Sequence, residues 1–257
     1  MCWLLTNVID AYNETVSKTA VITGASSGIG NAIAHQLASE GYNLSLNYFG
    51  KAEKVEEIVS QFEKYGNEVI VIHSDISTSQ GRDAFINHTV DHFSSIDVLV
   101  NNAGIYMRTS FSDLSVEAYE KTLGVNLTGA LFLTQGFLSS FNENSSIVFM
   151  SSINAFVGSD HGVDYNISKA GMIAIARSLA IELAPKVRVN AIAPGSIDTL
   201  LISSDTRTRR DERVDEQLIK RLGTPQDVAN MVSYLVSNKA SFVTGQTFHV
   251  NGGKYFS

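Results

Sequence analysis

The chain has 257 residues, 44% hydrophobic and 18% charged, the balance of a globular core and a length that suits one large α/β domain or two small ones. A formal charge of −7, with no long Lys/Arg run, argues against nucleic acid as a partner, and no apolar run is long enough to cross a membrane. The single cysteine, Cys2, precludes an intramolecular disulfide and fits a reducing compartment, so a cytoplasmic location is expected.

Residues 1–17 open on Met1-Cys2-Trp3-Leu4-Leu5, apolar but without the basic segment and long apolar stretch of a signal peptide, and are read as an N-terminal extension. Residues 18–23 read as a short buried strand. The glycine-rich turn Gly24-Ala25-Ser26-Ser27-Gly28-Ile29-Gly30 follows, then an amphipathic helix to Glu40 that stops at Gly41. Strands are predicted at 43–48, 68–73 and 96–100, with helices at 51–65 and 78–93 between them. The next long helix is expected over 115–141 and a fifth strand over 146–151. A helix carrying Tyr165 follows, then a sixth strand at 187–193. Residues 200–222 form a charged insertion, expected to be helical and self-paired through Asp205–Arg209, Arg207–Asp211 and Glu216–Lys220. A helix over 225–237 and a strand over 246–250 close the chain. About seven short apolar strands alternating with helices are the pattern of an α/β doubly wound parallel sheet, Rossmann-like, in one domain spanning 18–257. No linker and no internal repeat interrupts it.

Two local patterns carry chemistry. A strand, a glycine turn and a helix together make a phosphate cradle: the glycines let the backbone turn tightly, and the helix start offers free N–H groups and a positive dipole end. The spacing is Gly24-x-x-x-Gly28-x-Gly30, different from the commoner Gly-x-Gly-x-x-Gly. The second pattern is Tyr165-x-x-x-Lys169. Residues four apart share a helix face, so an ammonium lies beside a phenol and is expected to lower its pKa. In an open parallel sheet the site lies beyond the carboxyl ends of the strands. Gly24, Asn102, Ser152 and Pro194 all begin segments that leave such ends. No His/Cys/Asp/Glu cluster has metal-ligand spacing, so no metal is expected.

These motifs, in order, resemble the short-chain dehydrogenase/reductase family. The resemblance runs through Thr23-Gly24-x-x-x-Gly28-x-Gly30, Asp75-Ile76, Asn101-Asn102-Ala103-Gly104, Asn126, Ser152, Tyr165-x-x-x-Lys169 and Pro194-Gly195-Ser196-Ile197-Asp198-Thr199. It implies a nicotinamide-dependent oxidoreductase that interconverts a small-molecule ketone and a secondary alcohol. Tyr165 would be the acid–base group and Lys169 would lower its pKa and hold the nicotinamide ribose. Ser152 would bond the substrate oxygen, and Asn126 would support a water in the proton relay. Gly24, Ser26, Ser27, Gly28, Ile29, Gly30, Tyr48, Asp75, Ile76, Asn102, Ala103, Gly104, Pro194, Gly195, Ile197 and Thr199, with Tyr165 and Lys169, would contact the cofactor.

Among relatives the chain looks most like 3-oxoacyl-acyl-carrier-protein reductases, through Asn47-Tyr48 and Ile192-Ala193-Pro194-Gly195. It departs from many of them at Ser27, where they have Arg, and over 139–146, where no basic residue is present to dock an acidic carrier protein. A dehydrogenase of sugars, polyols or other small alcohols is the alternative, and a non-catalytic cofactor-binding sensor or scaffold is the alternative of another class. NADP is expected over NAD, because the end of the second strand carries Tyr48 where an NAD-selective relative has an acid, with Lys51 and Lys54 nearby. His161 is expected in a solvated loop, with substrate contact as the alternative. The apolar segments 129–133 and 171–176 imply burial on both sides and, with the resemblance, a homotetramer.

Overall fold

The computed structural model describes residues 17–50, 55–203 and 205–256. The N-terminal extension (save for its last residue), Cys2, Lys51 and Lys54 lie outside the described residues. Seven strands form one parallel sheet: β1 (Thr19–Ile22), β2 (Asn43–Tyr48), β3 (Val69–His73), β4 (Ile96–Asn101), β5 (Phe141–Met150), β6 (Val187–Pro194) and β7 (Thr247–Val250). Their spatial order is β3-β2-β1-β4-β5-β6-β7. The chain first works outward from β1 to β3, then crosses back to β4 on the other side of β1. That reversal opens a crevice beyond the carboxyl ends of β1 and β4.

The helices cover both faces. On one side α1 (Gly28–Ser39) packs against α9 (Pro225–Val236) over a core that includes Ile33, Leu37, Leu46, Val100, Val148 and Val232. On the other side, a second core of Phe85, Leu99, Leu133, Phe137, Phe149 and Met172 joins α3 (Ser79–Phe93), α5 (Gly129–Gly136) and α7 (Val163–Glu182) to the sheet. The central strands carry continuous buried apolar runs, such as Ala20–Ile22, Val98–Val100 and Ile147–Met150, because helices remove both of their faces from water. The short helix α2 (Val55–Ser60) lies between β2 and β3.

Several predicted elements differ in extent. The long helix is broken: α4 (Val116–Leu123) gives way to a π turn at Gly124–Thr128 before α5, and α5 ends at Gly136, with a single 3-10 turn at Leu138–Ser140 leading into β5. Residues 141–145 instead extend β5, where Phe141 pairs with Ile96 and Ser145 with Val187. The polar run Asn142-Glu143-Asn144 hid that extension, since hydropathy alone marks only the apolar half of the strand. The charged insertion is not one helix either. It comprises a single turn at Leu200–Ile202, the nine-residue α8 (Arg207–Asp215) and irregular chain. A further short helix, α6 (Asn154–Val157), precedes α7. No helix among the described residues is long and apolar enough to cross a membrane.

Candidate active site

The crevice is a cavity of about 670 Å³, within the range that takes an organic cofactor or ligand. Its floor is made where β1 and β4 end. Gly24 and Gly28 have φ of +65° and +57°, which glycine adopts without strain. A Cβ on Gly30 would stand 2.3 Å from the Gly24 carbonyl oxygen and 2.5 Å from Asn102 Nδ2, so only glycine lets α1 start this close to the turn. Asn102 reaches across from β4: its Nδ2 donates to the Thr23 carbonyl (2.9 Å) and the Gly24 carbonyl (3.1 Å). The Thr23 hydroxyl oxygen accepts from the N–H groups of Asn102 and Ala103. Both strand ends are thereby locked together. Ser27, the N-cap of α1, makes no side-chain cap bond.

The structure brings most of the expected residues to this one cavity. Gly24, Ser26, Ser27, Gly28, Ile29 and Gly30 line it. So do Asp75 and Ile76 after β3, Asn102, Ala103 and Gly104 after β4, and Pro194, Gly195, Ile197 and Thr199 after β6. Ser152, Tyr165 and Lys169 line it as well.

Tyr48 does not line it. Side chains alternate along a strand, and the one at 48 turns into the core beside α1, while its neighbours Asn47 and Phe49 line the cavity. Asn126 is also absent from the lining, being fully buried in the π turn. Its amide is consumed by structure: Oδ1 accepts from Ile105 N–H (2.7 Å), and Nδ2 donates to the Ile105 carbonyl (2.9 Å) and Ser168 Oγ (3.1 Å). The side chain thus pins the loop after β4 to α7. A Cβ on Gly104 would meet both Asn126 Oδ1 and Lys169 Nζ at 3.3 Å, so the cation sits directly under that loop.

Tyr165 and Lys169 occupy successive turns of α7. Lys169 Nζ donates to the Met150 carbonyl at the end of β5 (2.8 Å) and lies 5.6 Å from the centre of the Tyr165 ring. The expectation that the cation lowers the phenol's pKa is not met. Burial pushes Tyr165 up to about 12; a hydrogen bond with Ser152 works in the opposite direction, and Tyr106 adds to the rise. Burial also brings Lys169 down to about 8. Where both groups are desolvated, each charged form is disfavoured, and this outweighs their proximity. Asp164, just before Tyr165, is buried too, and neither of its oxygens bonds to another described residue. It stands in the first turn of α7, where the helix dipole favours a carboxylate.

Sequence reasoning missed Tyr106. Its ring stacks on that of Tyr165 with centroids 4.3 Å apart and planes at 25°. His161 stacks on Tyr106 in turn, nearly parallel, at 5.7 Å, so this histidine is half-buried in an aromatic column rather than free in solvent. The only signal in the sequence was an aromatic two residues after Gly104.

The predicted ion pairs of the insertion are replaced. Asp205 precedes the N-cap of α8, and Lys220 lies past the helix end, so i,i+4 spacing does not bring either to its expected partner. Asp205 is instead held by Arg108 Nη1 (2.6 Å) and Arg213 Nε (2.5 Å), and Glu216 by Lys254. Arg209 pairs with Glu212 and Arg210 with Asp198. Arg207–Asp211 is not among the ion pairs of the described residues.

Comparison with known proteins bears on this geometry directly. A family model described as enoyl-(acyl carrier protein) reductase matches residues 24–254. A 3-oxoacyl-[acyl-carrier-protein] reductase of Staphylococcus epidermidis is 35% identical over 243 residues, 93% of this chain and all of that protein. The crystal structure of a short-chain dehydrogenase/reductase from Brucella melitensis, described as a glucose/ribitol dehydrogenase, is 36% identical, with a TM-score of 0.87 over 93% of this chain and 97% of that one. The chain belongs to the short-chain dehydrogenase/reductase family. A further short-chain dehydrogenase, from Burkholderia cenocepacia and in complex with NADP, is 30% identical with a TM-score of 0.87 over 93% of this chain and 98% of that one. As a short-chain dehydrogenase/reductase the protein is an oxidoreductase, and the cavity beyond its strand ends is its candidate active site.

Proposed function

We propose that the protein interconverts a ketone and a secondary alcohol with a nicotinamide dinucleotide, and that Tyr165 gives the proton in reduction and takes it in oxidation. The observation that carries this reading is a buried, protonated phenol beside Ser152, in the same cavity as the glycine turn. A phenol held at about 12 keeps its proton at neutral pH and is ready to donate it to a developing alkoxide. Ser152 would hydrogen-bond the same oxygen as negative charge grows on it. The residues fit the cofactor: Gly24 and Gly30 let the turn, the end of β4 and the start of α1 pack closely, and Gly24, Gly28 and Gly30 line the cavity where that helix start could receive a pyrophosphate. Asp75 and Ile76 would border the adenine, and Lys169 would hold the nicotinamide ribose. When bound, the nicotinamide supplies the hydride, which no side chain can. Asn126 would act as a positioning residue, holding the loop that covers Lys169.

We further propose NADP over NAD. Neither Asn47 nor Phe49, the lining residues at the end of β2, is an acid that would repel a 2′-phosphate. The NADP complex of the Burkholderia relative supports the same choice. Residues 18–257 are taken as one domain and 200–222 as its lid. For the substrate, the 3-oxoacyl-carrier-protein reductase of Staphylococcus epidermidis supports an oxoacyl compound. The Brucella relative's description as a glucose/ribitol dehydrogenase supports the alternative of a sugar or polyol. Substituting Tyr165→Phe should leave cofactor affinity nearly intact and lower turnover by about 10²–10⁴, the usual worth of acid–base help. A variant that keeps more than about half of wild-type turnover would overturn the assignment, and a wild type that binds cofactor but reduces no carbonyl would favour a sensor.

A further inference from the structure

The cavity lining carries more cations than acids. Asp75, after β3, is the one acid among the described lining residues, whereas Arg108, Lys121, Lys169, Arg213 and Lys254 all line it. Arg108 and Arg213 share a single carboxylate, Asp205, whose side chain is 1% exposed; that of Arg213 is 14% exposed. Two guanidinium groups against one carboxylate leave a net positive charge in a largely desolvated place, an arrangement that is costly until another anion joins it. Arg213 spends only Nε on Asp205, and its two Nη groups make no hydrogen bond to another described residue. They form the half of a guanidinium fork that matches a carboxylate. Arg108 donates to Asp205 and to the Leu201 carbonyl, and its guanidinium lies 5.6 Å from the Tyr106 ring centre. That ring stacks on Tyr165, so Arg108 stands one aromatic ring away from the phenol. Apolar Ile105, Ile153, Leu200 and Ile202 line the cavity too, which suits a short carbon chain.

We infer that the substrate is a short oxo acid or hydroxy acid, whose carboxylate is received by Arg213 with Arg108 while its carbonyl or hydroxyl meets Tyr165. This rests on the oxidoreductase reading above. In the reductive direction the carbonyl carbon would take the hydride that a bound reduced nicotinamide supplies, its oxygen would take the Tyr165 proton, the resulting phenolate would be reprotonated from solvent, and the carboxylate would be unchanged. Arg213 and Arg108 are then specificity-determining residues, and the Asp205 clasp fixes the distance between carboxylate and carbonyl.

The test compares acetoacetate, 4-oxopentanoate and 5-oxohexanoate with their methyl esters on wild type, Arg213→Gln, Arg213→Lys and Arg209→Gln. Wild type should favour at least one acid over its ester in kcat/KM. Arg213→Gln should lower that acid-to-ester ratio by about ten-fold or more, chiefly through KM, because a site built to pair a charge loses most when the pair is broken. Arg213→Lys should restore part of the ratio, and Arg209→Gln, which removes a charge paired with Glu212 outside the cavity, should leave it unchanged. Equal losses for acid and ester on Arg213→Gln would show a lid clasp and nothing more. A wild type that prefers every ester would overturn the inference outright. Calorimetric binding of 5-oxohexanoate to wild type and Arg213→Gln gives a readout free of turnover. If no carbonyl compound is reduced, the reaction reading fails, while weaker binding to Arg213→Gln still supports the anion site and equal binding still rejects it.

Discussion

Lys169 is charged at neutral pH but loses its proton as pH rises through about 8, because burial disfavours the ammonium. Between about 8 and the ordinary value of 10.5 the unfolded chain binds a proton that the folded chain does not, so this lysine makes the fold more stable as pH rises through that window. Nitrogen-15 lysine NMR on the protein without cofactor should find one lysine titrating far below the rest, and Lys169→Met should abolish that signal. A set of lysines all titrating together would refute the burial argument. The neighbouring choice of dinucleotide is tested at Phe49, which lines the cavity where Tyr48 does not. Phe49→Asp should reduce kcat/KM with NADPH far more than with NADH, since a carboxylate there repels a 2′-phosphate. Equal losses with both would remove this end of β2 from cofactor selection.

Helix α7 presents the Tyr165–Lys169 pair because its start is fixed in an unusual way. Its N-cap is Gly162, at φ +75°, and a Cβ there would meet the Tyr106 ring at 2.3 Å. Only glycine lets the helix begin while Tyr106 lies flat against Tyr165. Gly162→Ala should therefore cost about 1 kcal/mol in backbone strain alone and push Tyr106 off the phenol. The expected result is a lower melting temperature and reduced turnover with cofactor affinity little changed. Wild-type melting and turnover in this variant would show that the aromatic column has no part in the site. The π turn at Gly124–Thr128 works similarly on the opposing helix. The extra residue it inserts widens one turn, and Asn126, within that turn, accepts from the Ile105 N–H and donates to the Ile105 carbonyl.

At the scale of the molecule, α5 and α7 cover the sheet with one face each and leave Leu131, Phe132 and Ile167 exposed. A second copy of the chain would remove such faces from water, and the proposed assembly is a homotetramer. Light scattering at assay concentration should return four subunits, and Phe132→Glu should reduce the mass by placing a charge in the contact. A wild-type mass of one subunit would contradict the assembly.

The sequence by itself determined the order of strands and helices, the glycine cradle and the Tyr165–Lys169 pair, because each is written in local spacing: period, turn chemistry, and residues one helical turn apart. It also brought Ser152 and Asn102 to the same crevice, since a parallel sheet gathers its strand ends. It did not determine side-chain direction at a strand end, so Tyr48 was expected in the cavity although it belongs to the core. Nor did it determine the state of the pair, for which local spacing predicts a lowered phenol and the folded protein has a raised one. Desolvation is a property of everything that packs around a group, and it is absent from a four-residue motif. The Tyr106 column and the Arg108–Asp205–Arg213 clasp were decided by tertiary structure alone. Their members come from the loop after β4, from the segment around residues 161–165 and from the 200–222 insertion, and they meet only once the sheet has fixed where those segments leave it.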